Sequence, residues 1–187
     1  DTKLTDADRR ITENDLKVKR LQLRRIDAEM AGKPLTQMAD DDAALFAQVE
    51  MQYRSRRQAY QDAVDGETAA LAKTERDLRS ALEIEGELRR TVPIHKETAD
   101  GWTQLAKEGF AGKLMAQEKV RLHIENEQDL KAQAQNVASL KAAIAQAEKR
   151  LAQITSNYRQ QLQSDRVDVA LQAHRLQEEL GKQDHRT

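Results

Sequence analysis

The sequence predicts an all-α fold, a long antiparallel coiled-coil helical hairpin with an additional N-terminal helix. Three observations predict it. Charged residues make up 34% of the chain, while the whole of it holds one Trp, three Tyr and two Phe. That is too little bulk for a compact globular core, and the sustained apolar periodicity is what disordered chains lack. The second observation is a long 3-4 repeat with few breakers. The third is a cluster of glycines near the middle, with arms of nearly equal length on either side.

The first helical run covers about 3–31. Leu4, Ala7, Ile11, Val18, Leu21 and Ala28 form one stripe, interrupted by Asn14 and Arg25. Asp1 or Thr2 would cap it. Gly32-Lys33-Pro34 ends it, since Gly suits the position after a helix and Pro cannot continue one. Residues 32–41 read as a loop. The ascending arm covers about 42–107 and opens on Asp40-Asp41-Asp42, a run suited to an N-cap and first turn. Phe46, Val49, Tyr53 and Tyr60 set its seam, followed by Val64, Leu71, Leu78, Leu82, Leu88 and Val92. Gly66 and Gly86 weaken the helix without ending it. Pro93 is expected to kink or break it within a turn.

The tip is assigned to 108–112, where Gly109 and Gly112 permit positive φ. The descending arm covers about 113–180. Leu130, Val137, Ile144, Leu151 and Tyr158 hold one heptad position, and Leu140, Ala147 and Ile154 hold the other. Val167, Leu171, Leu176 and Leu180 continue the stripe after a phase change, and Gly181 is the expected stop. At 1.5 Å rise each arm would be roughly 100 Å long. Facing residues should have numbers totalling about 220 for a reversal centred on this tip. Leu105 would then meet Met115, Leu78 would meet Ala142, and Tyr60 would meet Tyr158 or Leu162. The first helix either packs as a third helix beside the base or extends one arm.

The whole chain, 1–187, is thus read as a single helical hairpin domain. The 31 basic and 32 acidic residues give a net charge of −1, without a one-signed block that would mark a nucleic-acid or anionic-membrane footprint. With no cysteine, disulfides and thiolate zinc sites are excluded. His95, His123, His174 and His185 are read as too far apart to share a metal. No Glu-x-x-His, phosphate loop or nucleophile motif is present, so no catalytic residue, cofactor or metal is expected. Trp102 is assigned to packing in preference to a tip contact.

The tip sharpens this reading. The segment Asp100-Gly101-Trp102-Thr103-Gln104-Leu105-Ala106-Lys107-Glu108-Gly109-Phe110-Ala111 resembles the hairpin tip of periplasmic adaptors, also called membrane fusion proteins. These carry a leucine, a short turn, and a hydrophobic residue followed by a small one, here Leu105, Phe110 and Ala111. The Ala-, Gln-, Glu- and Lys-rich helix from Lys113 and the extra N-terminal helix are similar to the haemolysin D type. The drug-efflux branch has arginine and serine where this chain has Asp100 and Ala111, which sets it apart from that branch.

The resemblance implies a structural adaptor of type I secretion. It implies a tip formed by Leu105, Lys107, Gly109, Phe110, Ala111 and Lys113 that docks to an outer-membrane exit duct of the TolC type. It implies arms packed laterally, usually as a hexamer, into a periplasmic conduit that leads to an inner-membrane ABC transporter. Such adaptors are periplasmic proteins anchored to the inner membrane and export proteins such as toxins. Their lipoyl, β-barrel and anchor parts are missing here, so the chain is read as an excised helical domain. Phe110 either contacts a partner or folds back as a plug between the helix ends. The alternative function is a generic coiled-coil scaffold or spacer rod, commonly a parallel dimer. Such a rod has no reason for a glycine break between equal arms. A di-metal bundle enzyme, the third class, lacks its ligand spacing.

Overall fold

The computed structural model describes the backbone of residues 2–186 and the side chains of residues 5–184. Three helices follow in order: α1 (Thr2–Ala31), α2 (Ala43–Lys107) and α3 (Lys113–Arg186). This is an all-α helical hairpin with an extra N-terminal helix. Among the described residues no helix is long and apolar enough to cross a membrane. The chain packs as two compact units: Asp1–Asp65 with Ala152–Thr187, and Gly66–Leu151.

In the first unit three helices share a core, and α1 packs as the third helix. Leu21, Leu35, Phe46 and Val49 form one buried cluster, with Ala28, Leu45 and Tyr53 against it. Ile26 and Leu162 are wholly buried. The buried face of α1 differs from the predicted stripe. Ile11 is 61% exposed, whereas Thr12, Leu16, Arg25 and Glu29 are buried. A helix lying against two others buries a face wider than one seam, and polar residues on it then need partners.

Glu29 finds three. Its carboxylate is ion-paired with Arg25 one turn back, lies 3.3 Å from Arg56 Nε, and accepts a 2.6 Å hydrogen bond from the Tyr158 hydroxyl. Tyr158 stacks on Tyr60 at 4.3 Å between ring centroids, so of the two partners expected for Tyr60, Tyr158 and Leu162, it is Tyr158 that meets it. The Tyr60 hydroxyl lies 2.8 Å from Thr155 Oγ1. Burial, and next the hydrogen bond to Glu29, push the Tyr158 phenol up to about 12.

The ends of α1 and α2 follow the sequence chemistry. Gly32 has φ +66°, the Lys33 N–H donates to the Ala28 carbonyl, and the Gly32 N–H donates to that of Glu29. This is a Schellman motif, which needs a left-handed residue that glycine supplies without steric cost. Asp42 caps α2, its Oδ1 accepting from the N–H groups of Ala44 (2.9 Å) and Leu45 (3.0 Å). The neighbouring Asp41 ties the loop down, binding Arg24 at 2.6 Å and the Met38 N–H at 2.7 Å. Asp1, the other proposed cap, lies outside the described residues.

Two places expected to end or break a helix are helical. α3 continues through Gly181 to Arg186, and Arg9 on α1 pairs with Asp184 on α3 at 2.9 Å. A helical glycine costs about 1 kcal/mol, which packing against a neighbouring helix offsets. Val167 and Leu171 are exposed, and the buried position in that stretch is Ala173.

α2 also runs unbroken through Pro93. The ring is exposed, so the Arg89 carbonyl that loses its donor can be hydrated. Half-buried Val92 and buried Ala99 hold the flanking turns on the seam. The Thr91 hydroxyl lies 3.2 Å from both the Leu88 carbonyl and Asn126 Oδ1, adding a cross-arm tie beside the proline.

The second unit is a two-helix seam. Leu71, Thr74, Leu78, Ala81, Glu85, Leu88, Val92, His95 and Ala99 on α2 alternate by three and four and are buried or half-buried. Leu82 lies beside this stripe and is exposed, so Ala81 takes the seam position expected for it. On α3 the predicted heptads hold, with Leu130, Val137, Leu140, Ile144, Ala147 and Leu151 buried or half-buried. Cross-arm pairs fix the register. Thr91 with Asn126 and Glu67 with Arg150 each total 217, and Ala81 with Gln133 totals 214. That is a few residues below the predicted total, so positions 136–139 rather than Ala142 are level with Leu78.

Candidate docking tip

The tip is built by a second Schellman motif. The Phe110 N–H donates to the Leu105 carbonyl at 2.9 Å and the Gly109 N–H to that of Ala106 at 3.2 Å. Gly109 has φ +81°. Gly112 has no positive φ; its carbonyl accepts from the Ala116 N–H at 3.2 Å and so opens α3. The two glycines therefore do different jobs, and the sequence alone assigned both to positive φ.

In this motif the residue after the glycine commonly packs on the one at Leu105's position. Here that packing is slight. Phe110 is 80% exposed and Leu105 is 41% exposed, so the turn presents Phe110 to solvent instead of folding it back as a plug. Ala111 is half-buried beneath it, and Lys107 and Lys113 are exposed at the two helix ends. The buried seam beside the tip is made by Ala99 and Ala116. Leu105 and Met115, expected to face each other in the seam, both lie beside it and are exposed. Trp102 is half-buried with the Lys119 ammonium 5.9 Å from its ring centroid, which places it at a cation–π contact across the arms.

Sequence reasoning missed Leu114. It is 83% exposed, the second residue of α3, and adds to the apolar surface that Phe110 offers. The signal was there: Leu114 falls off both heptad positions of the descending arm, so no core claims it.

Below the tip, Thr103, Ala106, Ala116, Gln117, Val120 and Ile124 line a groove of about 640 Å³ along one side of the hairpin, with Lys107 and Lys113 at its upper end. Arg121 binds Glu118 and Glu125 on its own helix. The hydrogen bond from Arg121 holds the Glu118 carboxyl below its usual range, and the same pairing raises the guanidinium above its own.

Of the four histidines, His95 and His123 are nearer than expected. Each lies about one turn from the Thr91–Asn126 pair, on opposite arms. Among the described residues no group of three or more potential metal-ligating side chains gathers.

No family model matches the chain, and no curated protein sequence does. A solved structure does share its fold: the soluble domain of LipC, a membrane fusion protein of a type I secretion system. The two superpose with a TM-score of 0.86 over 97% of this chain and 89% of that one, at 18% identity. The likeness reaches through α1 as well as the hairpin, so the N-terminal helix belongs to the shared fold.

Proposed function

We propose that this chain is the helical part of a type I secretion adaptor, which docks by its tip to an outer-membrane exit duct of the TolC type. The observation that carries the reading is the solvent-facing Phe110, held out by the Gly109 turn. A large apolar side chain gains about 1.5–3 kcal/mol when fully covered. Here the chain itself leaves it uncovered, so a partner supplies the burial. The shared fold with the LipC soluble domain, a membrane fusion protein of such a system, supports the same reading.

In this proposal Leu105, Phe110 and Ala111 make the apolar contact, and Lys107 and Lys113 flank it with positive charge. Gly109 sets the turn. The arms pack laterally, six to an assembly, into the wall of a periplasmic conduit. An inner-membrane ABC transporter engages other parts of the same adaptor, which is anchored to that membrane. The role is structural, without catalysis or cofactor.

The test is a Leu105→Asp, Phe110→Asp double variant in the intact adaptor. Helicity and thermal melting should stay near wild type, because the buried seam lies elsewhere. Secretion and capture of the duct should be lost. Unimpaired secretion would remove the tip from docking, and a collapse in melting temperature would show that these residues close the coiled coil.

A further inference from the structure

The two flanks of the second unit differ in charge. On the flank that carries the groove, Lys96, Lys107, Lys113 and Lys131 sit beside the seam, and none is in an ion pair among the described residues. The acids on that flank over the same stretch are Asp100, Glu127 and Glu125; Glu127 faces His123 at 3.7 Å, and Glu125 lines the groove paired with Arg121. The opposite flank carries Glu87, Glu108 and Asp129, with Glu118 at its outer margin. Heptad position places no lysine or arginine on that flank between residues 86 and 131.

Both flanks also expose large apolar side chains that the seam does not use. Val120 and Ile124 lie on the basic flank; Ile94, Leu105 and Met115 lie on the acidic one. In an antiparallel pair the two flanks face away from each other, so they cannot meet within one chain.

We propose that these flanks are the two halves of one interface between copies of this chain, the basic flank of one copy seated against the acidic flank of the next. Like flank on like flank would set lysines against lysines or carboxylates against carboxylates, which electrostatic complementarity selects against. Basic on acidic joins opposite charges around an apolar strip. Such a contact is heterologous: every copy keeps one free flank of each kind, so the array closes into a ring or extends. The pairing rests on the lateral packing proposed above and gives it a direction.

The chain has no cysteine, so single cysteines report cleanly. Ile124 on the basic flank and Ile94 on the acidic flank are exposed and, by the cross-arm register, stand at nearly the same height. Copies carrying Ile124→Cys and differently tagged copies carrying Ile94→Cys are mixed at high concentration and mildly oxidised. Random pairing of equal amounts gives mixed disulfides at twice either like pair; the mixed product should exceed this by roughly threefold or more, and the excess should vanish near 1 M salt. Adding Lys113→Glu and Lys131→Glu to the Ile124→Cys copy should bring the mixed yield down to the random twofold ratio or below. A mixed yield at or below twice either like pair, or one indifferent to salt and to the lysine reversals, would overturn the proposal. The assay contains neither duct nor transporter, so its failure leaves tip docking standing, and failure of the tip variants in secretion leaves this pairing standing.

Discussion

Replacing Glu29 by Gln tests what fixes α1 to the base of the hairpin. The side chain of Glu29 is fully buried, and that of Arg25 is 5% exposed. Gln keeps the shape and removes the charge, leaving Arg25 buried without a counter-ion. Breaking one side of a buried pair costs roughly 3–5 kcal/mol. The lower end applies, about 3 kcal/mol, because Arg56 is partly exposed and Arg25 Nε keeps its 2.7 Å bond to Gln22. The informative contrast is the triple variant Arg25→Met, Glu29→Leu, Tyr158→Phe. It removes every strongly buried polar member together and should fall within about 1 kcal/mol of the parent. Hydrogen exchange of the α1 amides, read alongside a denaturant series, measures both. A Glu29→Gln cost below about 1 kcal/mol would refute the argument that an uncompensated Arg25 results.

The same network predicts a pH limit. The Tyr158 phenol is raised from 10.0 to about 12, so its contribution is complete below pH 10 and is lost as pH rises through 12. Ultraviolet titration should show a tyrosine ionising near pH 12 that disappears in Tyr158→Phe, with α1 protection falling over the same window.

Other outcomes follow from the turns and helix interior. Pro93→Ala should stabilise the second unit by about 2 kcal/mol in urea, since an interior proline costs up to about 3 kcal/mol against alanine; a loss of stability would mean that the proline is needed for the bend or register of α2. Gly109→Ala should cost about 1–2 kcal/mol, because an alanine must adopt the left-handed conformation there although space for its Cβ is open; a neutral result would show that the turn can rearrange. The hydrogen bond from Arg24, then that from the Met38 N–H, holds the Asp41 carboxyl below 3.8. Its tie to the loop should therefore persist above that value and be lost as pH falls through the lowered pKa, which carbon-detected NMR titration of Asp41 can follow.

The helices and turns were legible because their signals are local. Gly32 and Gly109 read as stops from backbone chemistry alone, and both adopt the positive φ that the motif needs. The α3 heptads were legible because one partner helix imposes one seam, which a period of 3.5 records faithfully. At the tip, Phe110 stood out as an apolar residue that no seam claims, but Leu114 escaped notice although the same criterion applies to it. Periodicity draws attention to residues on the stripe and says nothing of those off it.

Tertiary structure decided what depends on more than one neighbour. α1 lies against both arms, so its buried face is broad and includes Arg25 and Glu29, whose partners Arg56 and Tyr158 lie far away in sequence. A buried charge becomes tolerable only when those partners arrive, and no local pattern announces them. Gly181 and Pro93 read as a stop and a break on local cost alone; packing on either side offsets that cost, and the helices continue. The amino-acid pattern therefore determined where helices form and where the chain reverses, because those are local free energies. Which faces are covered, which charges are paired and which apolar side chains remain exposed were settled only when the helices met.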